Sequence, residues 1–415
     1  MKIQILFATL FLTISFNSRG IELPLFKKLP GLANIPRVEI LSQYTDVMPL
    51  KNIENELNQK LYQQKTQYLS NRLWIKRDDR SSAVLGGNKA RKLEFILGQM
   101  KLDGAKKIIT AGMWGSNHAL ATSLACKQHG LTPILHLGPQ PVTENVKKKL
   151  LSFYALGAKM VYHKNQISMG MGIVESYFKS LLRKDTFYIP PGGSSPTGTL
   201  GYVNAFLELV EQVGVENLPD RIYVPMGTAG TSAGLLLGSC LAGTLDKTTI
   251  VAVGIADSVL SNESTIWRLA RKTYHMISHH LSKEERKQLP HCSFTQHRQG
   301  LNYRSEYSKP GYGAATPEVF EAIKMMKDKE GITLEQTYSG KAFRALLDDT
   351  QADFEKGLPA KKSLFWLTYN SHPLDEIIAS FAWKDPLHPW LDLPKKFHHL
   401  FESNDFNSTE QEQSH

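Results

Sequence analysis

From about residue 105 the chain alternates between two hydrophobic periods. Short runs rich in apolar and β-branched residues, KKIITAG (106–112), PILHLG (133–138), AKMVYHK (158–164), DTFYIPPGG (185–193), DRIYVPMG (220–227), TTIVAVGIA (248–256) and KSLFWLTY (362–369), read as strands. Between them, apolar positions recur every three or four residues near 116–129, 142–156, 198–213, 229–242, 316–329 and 340–356, which predicts helices. Such alternation is the signature of βαβ units on mostly parallel sheets, and this many strands fit two sheets better than one. Residues 257–310 break the rhythm with a charged, histidine-containing helical insert. His279 and His280 are adjacent, so they cannot share a helix face as metal ligands would, and they read as surface residues.

The ends read differently. Lys2 followed by IQILFATLFLTISF resembles the charged start and apolar core of a secretory signal, too short for a stable membrane span, so residues 1–20 are set apart from the fold. Residues 401–415 form a polar tail.

Composition narrows the function classes. Lys plus Arg exceed Asp plus Glu, 49 to 39, a net charge of +10. The excess is diffuse, with only short clusters such as Lys147 to Lys149 and no basic tract interleaved with aromatics, so nucleic acid is not an expected partner. Three cysteines, Cys126, Cys240 and Cys292, lack CxxC or histidine spacing. Neither a disulfide framework nor a zinc site is expected, and a reducing compartment suits them.

Three strand-to-helix turns carry candidate chemistry. VPMGTAGTSAGLLLG (224–238) places Gly227, Thr228, Ala229, Gly230 and Thr231 where free backbone N–H groups and a helix dipole converge, a cup for one anion. Neither GxxxxGK[ST] nor GxGxxG is present here, which argues against Walker-type phosphotransfer and ordinary dinucleotide binding. PPGGSSPTGTLGYVNA (190–205) is either a close approach to a ligand or a hinge. TAGMWGSNHALATSLA (110–125) puts Ser116, Asn117 and His118 at a helix start, where they serve as an N-cap or hold a carboxylate. LGGNKARKLEF (85–95) is the fourth signal: Gly86 and Gly87 let the chain approach a ligand, and the helix they precede fixes the direction of Lys89. A lysine of lowered pKa is a Schiff-base nucleophile, and the aldehyde cofactor that also carries one phosphate is pyridoxal 5'-phosphate.

Six motifs in order, KRDDRSSAVLGGNKARKLEF, GSNHALAT, PPGGSSPTGTLGYV, GTAGTSAGL, GYGAATPE and EGITLEQTYSGKAF, resemble the D-cysteine desulfhydrase and 1-aminocyclopropane-1-carboxylate deaminase family. These are tryptophan-synthase-β-like, fold type II pyridoxal-phosphate enzymes. The resemblance implies an α/β fold of two three-layer αβα domains with mostly parallel sheets. Residues 21–102 and 203–400 would form the large cofactor-binding domain and 103–202 the small one. It further implies Lys89 as the Schiff-base lysine, Lys92 beside the phosphate, Gly227 to Thr231 as its cup and Asn117 on the ring hydroxyl. Ser116 would hold the carboxylate and act in catalysis, and Tyr312 and Tyr338 would flank the substrate.

At Ser339 the ring-opening deaminases have a glutamate and desulfhydrase-type members a threonine. A neutral hydroxyl facing the pyridine nitrogen favours elimination of a good leaving group over ring opening. The expected activity is therefore D-cysteine desulfhydrase-type α,β-elimination on a small amino acid, giving pyruvate, ammonia and sulfide, in a homodimer. The alternatives are 1-aminocyclopropane-1-carboxylate deamination and a noncatalytic relative that binds cofactor or amino acid. Gly115, where relatives often have glutamine, and LTYNSHPLD, where a glycine pair is common, leave the substrate open. The compartment is cytoplasmic by resemblance and exported if the first residues are a leader.

Overall fold

A computed structural model describes residues 22–61, 68–82, 86–255, 261–294, 299–370 and 372–402. In chain order the elements are α1 (Pro24–Lys28), β1 (Val47–Pro49), α2 (Lys51–Leu61), β2 (Leu73–Lys76), α3 (Asn88–Leu102), β3 (Lys107–Met113), α4 (Asn117–Gln128) and β4 (Thr132–Gly138). Then come α5 (Glu144–Ala155), β5 (Lys159–Tyr162), α6 (Gln166–Leu181), β6 (Thr186–Tyr188), α7 (Pro196–Val213), β7 (Arg221–Met226), α8 (Gly230–Ala242) and β8 (Thr249–Gly254). The chain closes with α9 (Glu263–His280), α10 (Lys283–Gln288), β9 (Leu301–Arg304), α11 (Pro317–Glu330), α12 (Ser339–Glu355), β10 (Ser363–Trp366), α13 (Asp375–Ala379) and α14 (His399–Glu402).

The strands form two sheets. One has six strands in the order β1-β2-β10-β7-β8-β9, parallel except where β1 pairs antiparallel with β2. The other has four parallel strands in the order β5-β4-β3-β6. Continuous apolar runs such as Ile222–Tyr223–Val224 and Ile250–Val251–Ala252–Val253 are buried on both faces, as parallel strands covered by helices require. On one side of the larger sheet Phe206, Leu235 and Leu236 of α7 and α8 meet Ile222, Val224 and Ile250. On the other, Phe343 and Leu346 of α12 meet Tyr223, Val251 and Phe365. The smaller sheet has its own core, with Leu120 and Leu124 of α4 and Leu150 and Phe153 of α5 against Ile108, Leu135 and Leu137. The expected α/β architecture with mostly parallel sheets is present.

One expectation needs correction. Cys240 and Cys292 form a disulfide, tying the end of α8 to the segment after α10, while Cys126 is free and buried. The 52 residues between them carry no spacing signature, and only the packing of α9 across α8 brings them together. A buried disulfide of this kind suits an oxidising compartment rather than a reducing one. The described residues of the 257–310 insert do not line the cleft described below. Its helix α9 packs on α7 and α8, and its strand β9 becomes the edge of the larger sheet. His279 and His280 are exposed, as expected. Among the described residues no helix is long and apolar enough to cross a membrane, and no three His, Cys, Asp or Glu side chains are placed to hold a metal. The signal-like segment and most of the polar tail lie outside the described residues.

Candidate active site

A cleft of about 260 Å³ opens between the two sheets, at the C-terminal ends of β3 and β7, where α/β folds bind ligands. Three helix starts converge on it, those of α3, α4 and α8.

The α3 start is stapled down by backbone. Gly87, at φ +85°, donates its N–H to Asp78 O (2.6 Å), and Asn88 N–H donates to Thr368 O (3.1 Å) beyond β10. A Cβ at Gly86 would lie 2.1 Å from Asp79 O, and one at Gly87 2.7 Å from Thr368 O. The close approach that these glycines permit is thus to the chain's own backbone, which sets where α3 begins. Lys89 follows, partly exposed, its Nζ donating to Asn88 Oδ1 (2.7 Å). Asn88 Nδ2 in turn donates to Thr231 Oγ1 (3.0 Å), so one amide links the lysine to the start of α8. Burial lowers the Lys89 pKa to about 8 against the opposing pull of Glu335, which leaves a usable fraction of neutral amine near neutrality.

The α8 start forms the anion cup. Residues 227–231 all line the cleft, and Ala229 turns through a left-handed conformation (φ 63°), sparsely populated backbone of the kind found at functional sites. Ser194, from the 190–205 turn, donates to or accepts from Thr228 Oγ1 (2.8 Å) and accepts the Gly230 N–H (3.2 Å). Gly192 of the same turn has φ +69° and sits where a Cβ would meet Thr228 Oγ1 at 2.1 Å, so this turn is a wall of the cup. Lys92 lies against the cup as well: a Cβ on Gly230 would be 2.9 Å from its Nζ. That ammonium is buried, and its hydrogen bond goes to Gly192 O (3.2 Å). No carboxylate pairs with it among the described residues. Burial, reinforced by Lys89, holds its pKa well below the ordinary lysine value. Ser232 Oγ, also lining the cleft, is buried without a partner.

At the α4 start, Ser116 both caps the helix, accepting from Ala119 N–H (3.2 Å), and faces the cleft. Asn117 Oδ1 accepts from Lys149 Nζ (2.6 Å), which leaves the Asn117 amide hydrogens for the cleft. Lys149 also donates to Gly115 O (2.9 Å), and burial lowers its pKa to about 8 against the pull of Glu335. Gly115 N–H donates to Gln140 Oε1 (2.9 Å), so a glutamine from a distant loop covers the position that has no side chain. Thr110 donates its hydroxyl to Ile189 O (2.8 Å), so the 2.9 Å contact between it and His118 Nε2 requires that nitrogen to be the donor. His118 Nδ1 is then bare and unpartnered; burial, with Lys89 and Lys92 adding, keeps the ring neutral.

Tyr312 and Tyr338 stand edge to face, with Tyr338 OH donating to Tyr312 OH (3.1 Å). Burial raises both phenols, so both stay protonated near neutrality. The buried Lys341 positions this wall by gathering the carbonyls of Ile255, Ser308 and Gly311 at 3.1 to 3.3 Å. Ser339 is buried and does not line the cleft; its Oγ accepts from Glu335 N–H (2.8 Å). The carboxylate that does line it is Glu335, and that group caps α12, accepting the N–H groups of Thr337, Tyr338 and Ser339 at 2.7 to 2.8 Å.

Asn88, Lys149, Gln140, Ser194 and Glu335 were missed by sequence reasoning. Lys149 was visible only as part of a short basic cluster.

The donor set suits a monophosphorylated aldehyde. An amine of lowered pKa stands one amide away from a glycine cup that holds a buried lysine with no carboxylate, and a hydroxyl with no partner, among the described residues. Pyridoxal phosphate would place its phosphate against residues 227–231 and Lys92 and its aldehyde at Lys89.

Comparison with known proteins bears on the same point. A family model described as pyridoxal-phosphate dependent enzyme matches residues 56–368. A putative 1-aminocyclopropane-1-carboxylate deaminase of Pyrococcus horikoshii is 34% identical over 337 residues, covering 80% of this chain and 91% of that protein. A D-cysteine desulfhydrase of Klebsiella pneumoniae is 27% identical over 334 residues, 79% of this chain and 92% of the relative. A crystal structure of an ACC deaminase homologue superposes with a TM-score of 0.65 at 31% identity, covering 86% of this chain and 99% of that one.

Proposed function

Since the chain belongs to the pyridoxal-phosphate dependent enzymes, we propose that it is a lyase of the D-cysteine desulfhydrase type, converting D-cysteine and water to pyruvate, ammonia and hydrogen sulfide. The observation that carries this reading is the bridge Lys89–Asn88–Thr231, which puts a nucleophilic amine and a separate phosphate cup in one cleft. The cofactor supplies an electron sink for the carbanion that forms at the substrate α-carbon.

The chain's own groups do the rest. Neutral Lys89 would hold the cofactor aldehyde and, freed when the substrate amine takes its place there, would be the base placed for the α-proton. The Ser116 hydroxyl and the N–H groups at the α4 start hold the substrate carboxylate, with the helix dipole behind them. The Asn117 amide, oriented by Lys149, would donate to the cofactor ring oxygen. Tyr338 spends its hydrogen on Tyr312, so the Tyr312 hydrogen is available to the departing sulfur. Residue 339 is a serine, and the oxygens of Glu335 are engaged by three backbone N–H groups, so neither is a free carboxylate for the ring nitrogen. That supports elimination of a good leaving group.

A second reading, opening of the cyclopropane amino acid, is supported by the 34% identical relative and by the presence of Glu335 in the cleft wall. The assembly we propose is a homodimer, and the Cys240–Cys292 disulfide supports export over a reducing compartment.

The test is to reconstitute the purified protein with cofactor and assay keto-acid release from D-cysteine, L-cysteine, D-serine and 1-aminocyclopropane-1-carboxylate. D-cysteine should release sulfide and pyruvate together. Turnover of the cyclopropane alone establishes the second reading. A wild type that stays colourless in excess cofactor defeats both.

A further inference from the structure

Helix α6 is built inside out. Towards the protein it presents Met169 and Ile173 to the cleft and otherwise small and polar groups. Gly172 sits so close to the smaller sheet that a Cβ would lie 2.5 Å from His163, and Ser176 Oγ bonds His136 Nε2 (2.8 Å). Towards solvent it presents Ile167, Met171, Val174, Tyr177, Phe178 and Leu181, with Leu182 just beyond, all between 44% and 88% exposed. A soluble amphipathic helix has the opposite arrangement. Seven such side chains each expose on the order of 100 Å², together close to the ~800 Å² per partner of a standard protein interface. Patches of that size mark interaction sites.

We propose that this face is the contact between two copies of the chain, α6 packing antiparallel on α6 about a two-fold axis at Val174. The inference rests on the homodimer reading and gives it its interface; it is independent of the chemistry. The spacing selects a second copy as the occupant. Ile167, Met171, Val174, Phe178 and Leu181 are separated by 4, 3, 4 and 3 residues, the seam of paired helices. Reversed about Val174, the apolar face falls on itself, Ile167 opposite Leu181 and Met171 opposite Tyr177, the self-complementarity that a two-fold interface requires. The exposed charges on the helix, Glu175 and Lys179, pair with each other in the same chain and demand no charged partner.

The apolar residues near the N-terminus are the weaker occupant. The described chain begins at Glu22 and leads into α1, which packs on α7 beside the other sheet. Met169 and Ile173, on the inner side of α6, line the cleft, so pairing braces one wall of the active site.

Sedimentation velocity of the full chain should give a dimer. Val174→Glu combined with Phe178→Glu should weaken it roughly thirtyfold or more, while the far-ultraviolet circular dichroism and cofactor colour stay unchanged. The chain's three cysteines are a disulfide pair and one buried thiol, so engineered cysteines report cleanly. Val174→Cys should cross-link two chains on mild oxidation. Ile167→Cys alone should not, yet mixed with Leu181→Cys it should.

A dimer that survives the double substitution places the interface elsewhere and overturns the α6 contact while sparing the homodimer. A monomeric wild type overturns both, as does one that is monomeric in solution and sediments only with phospholipid vesicles. A chain from residue 21 that loses the dimer makes the N-terminal segment the occupant and overturns the proposal. Efficient cross-linking of Ile167→Cys alone overturns the antiparallel register.

Discussion

Helix α3 carries buried cations into two environments, and the chain treats them in opposite ways. Arg91 enters a saturated cluster, bonding Asp78 at 2.8 and 3.0 Å, Glu208 at 2.7 and 3.0 Å and Thr45 Oγ1 at 2.9 Å. Lys76 joins through Glu208, and Asp78 also accepts from Tyr202 OH (2.6 Å) and Trp366 Nε1 (2.7 Å). Burial alone would push the Asp78 carboxyl up, yet Arg91 and Lys76 hold it below its ordinary value. Two cations meet two carboxylates there. One residue along the helix, Lys92 meets only a carbonyl and the edge of a glycine turn. A buried charge with its counterion built in is structure; a buried charge without one is prepared for a ligand that brings the counterion.

The largest effect should come from breaking the saturated side. Arg91→Met leaves Asp78 and Glu208 buried with only Lys76 to share, and should lower the unfolding free energy by about 3–5 kcal/mol. Urea titration measures it, and a loss under about 1 kcal/mol would mean that the cluster relaxes by admitting water.

Next comes the brace behind the cup. Cys292→Ser opens the cross-link to Cys240 at the far end of α8 and should lower stability by about 2–4 kcal/mol. Binding of inorganic phosphate, followed by calorimetry, should be unchanged, because the cup lies at the other end of that helix.

Lys92→Met should act in the opposite sense. Removing a buried amine whose protonation is opposed by burial and by Lys89 should leave the apoprotein as stable or raise it by about 1 kcal/mol. The same change should weaken cofactor affinity by about 1.5–3 kcal/mol, roughly ten- to a hundredfold in Kd, the worth of a hydrogen bond to a charged group. If Arg91→Met and Lys92→Met destabilise the apoprotein equally, the contrast between the two environments is wrong.

The contrast was only half legible in the sequence. Lys89, Lys92 and the 227–231 turn announced themselves through glycines and motif order, and strands such as Thr249–Gly254 through unbroken apolar runs. KRDDR (76–80) was visible as a motif but not as half of an ion cluster, because Glu208 and Tyr202 arrive from α7, more than 100 residues later. Leu73–Lys76 and Leu301–Arg304, four residues each and interrupted by polar side chains, offered too little periodicity. Helix α6 carries a periodic apolar stripe, but Gly170 and Gly172 within it weaken the helical signal. Glu335 lies inside EGITLEQTYSGKAF without a signal of its own, since a side chain that caps a helix start and also faces a cleft has no sequence pattern.

The smallest effect is a pH dependence that separates Arg91 from the cleft lysines without mutation. Lys89 and Lys149 have pKa values lowered by burial to about 8, against an ordinary value of 10.5. Below about pH 8 both the folded and unfolded states hold these protons, so the full cost of burying the charge is felt. Between about 8 and 10 the unfolded lysines still bind protons that the folded ones have released, and stability rises with pH. Arg91 contributes nothing to that slope, since its carboxylates hold it further above its already high ordinary value, whereas Lys76, lowered by burial, adds to it. The melting temperature of the apoprotein should therefore climb across this window. Loading the cofactor should flatten the climb, because the Lys89 amine is then no longer free to titrate. Over the same range the rate of cofactor capture, read from the visible absorbance, should rise about tenfold per unit up to about pH 8 and then level off, as the neutral amine is the nucleophile. A capture rate independent of pH would remove Lys89 from that role and leave the cleft with an anion cup but no covalent anchor.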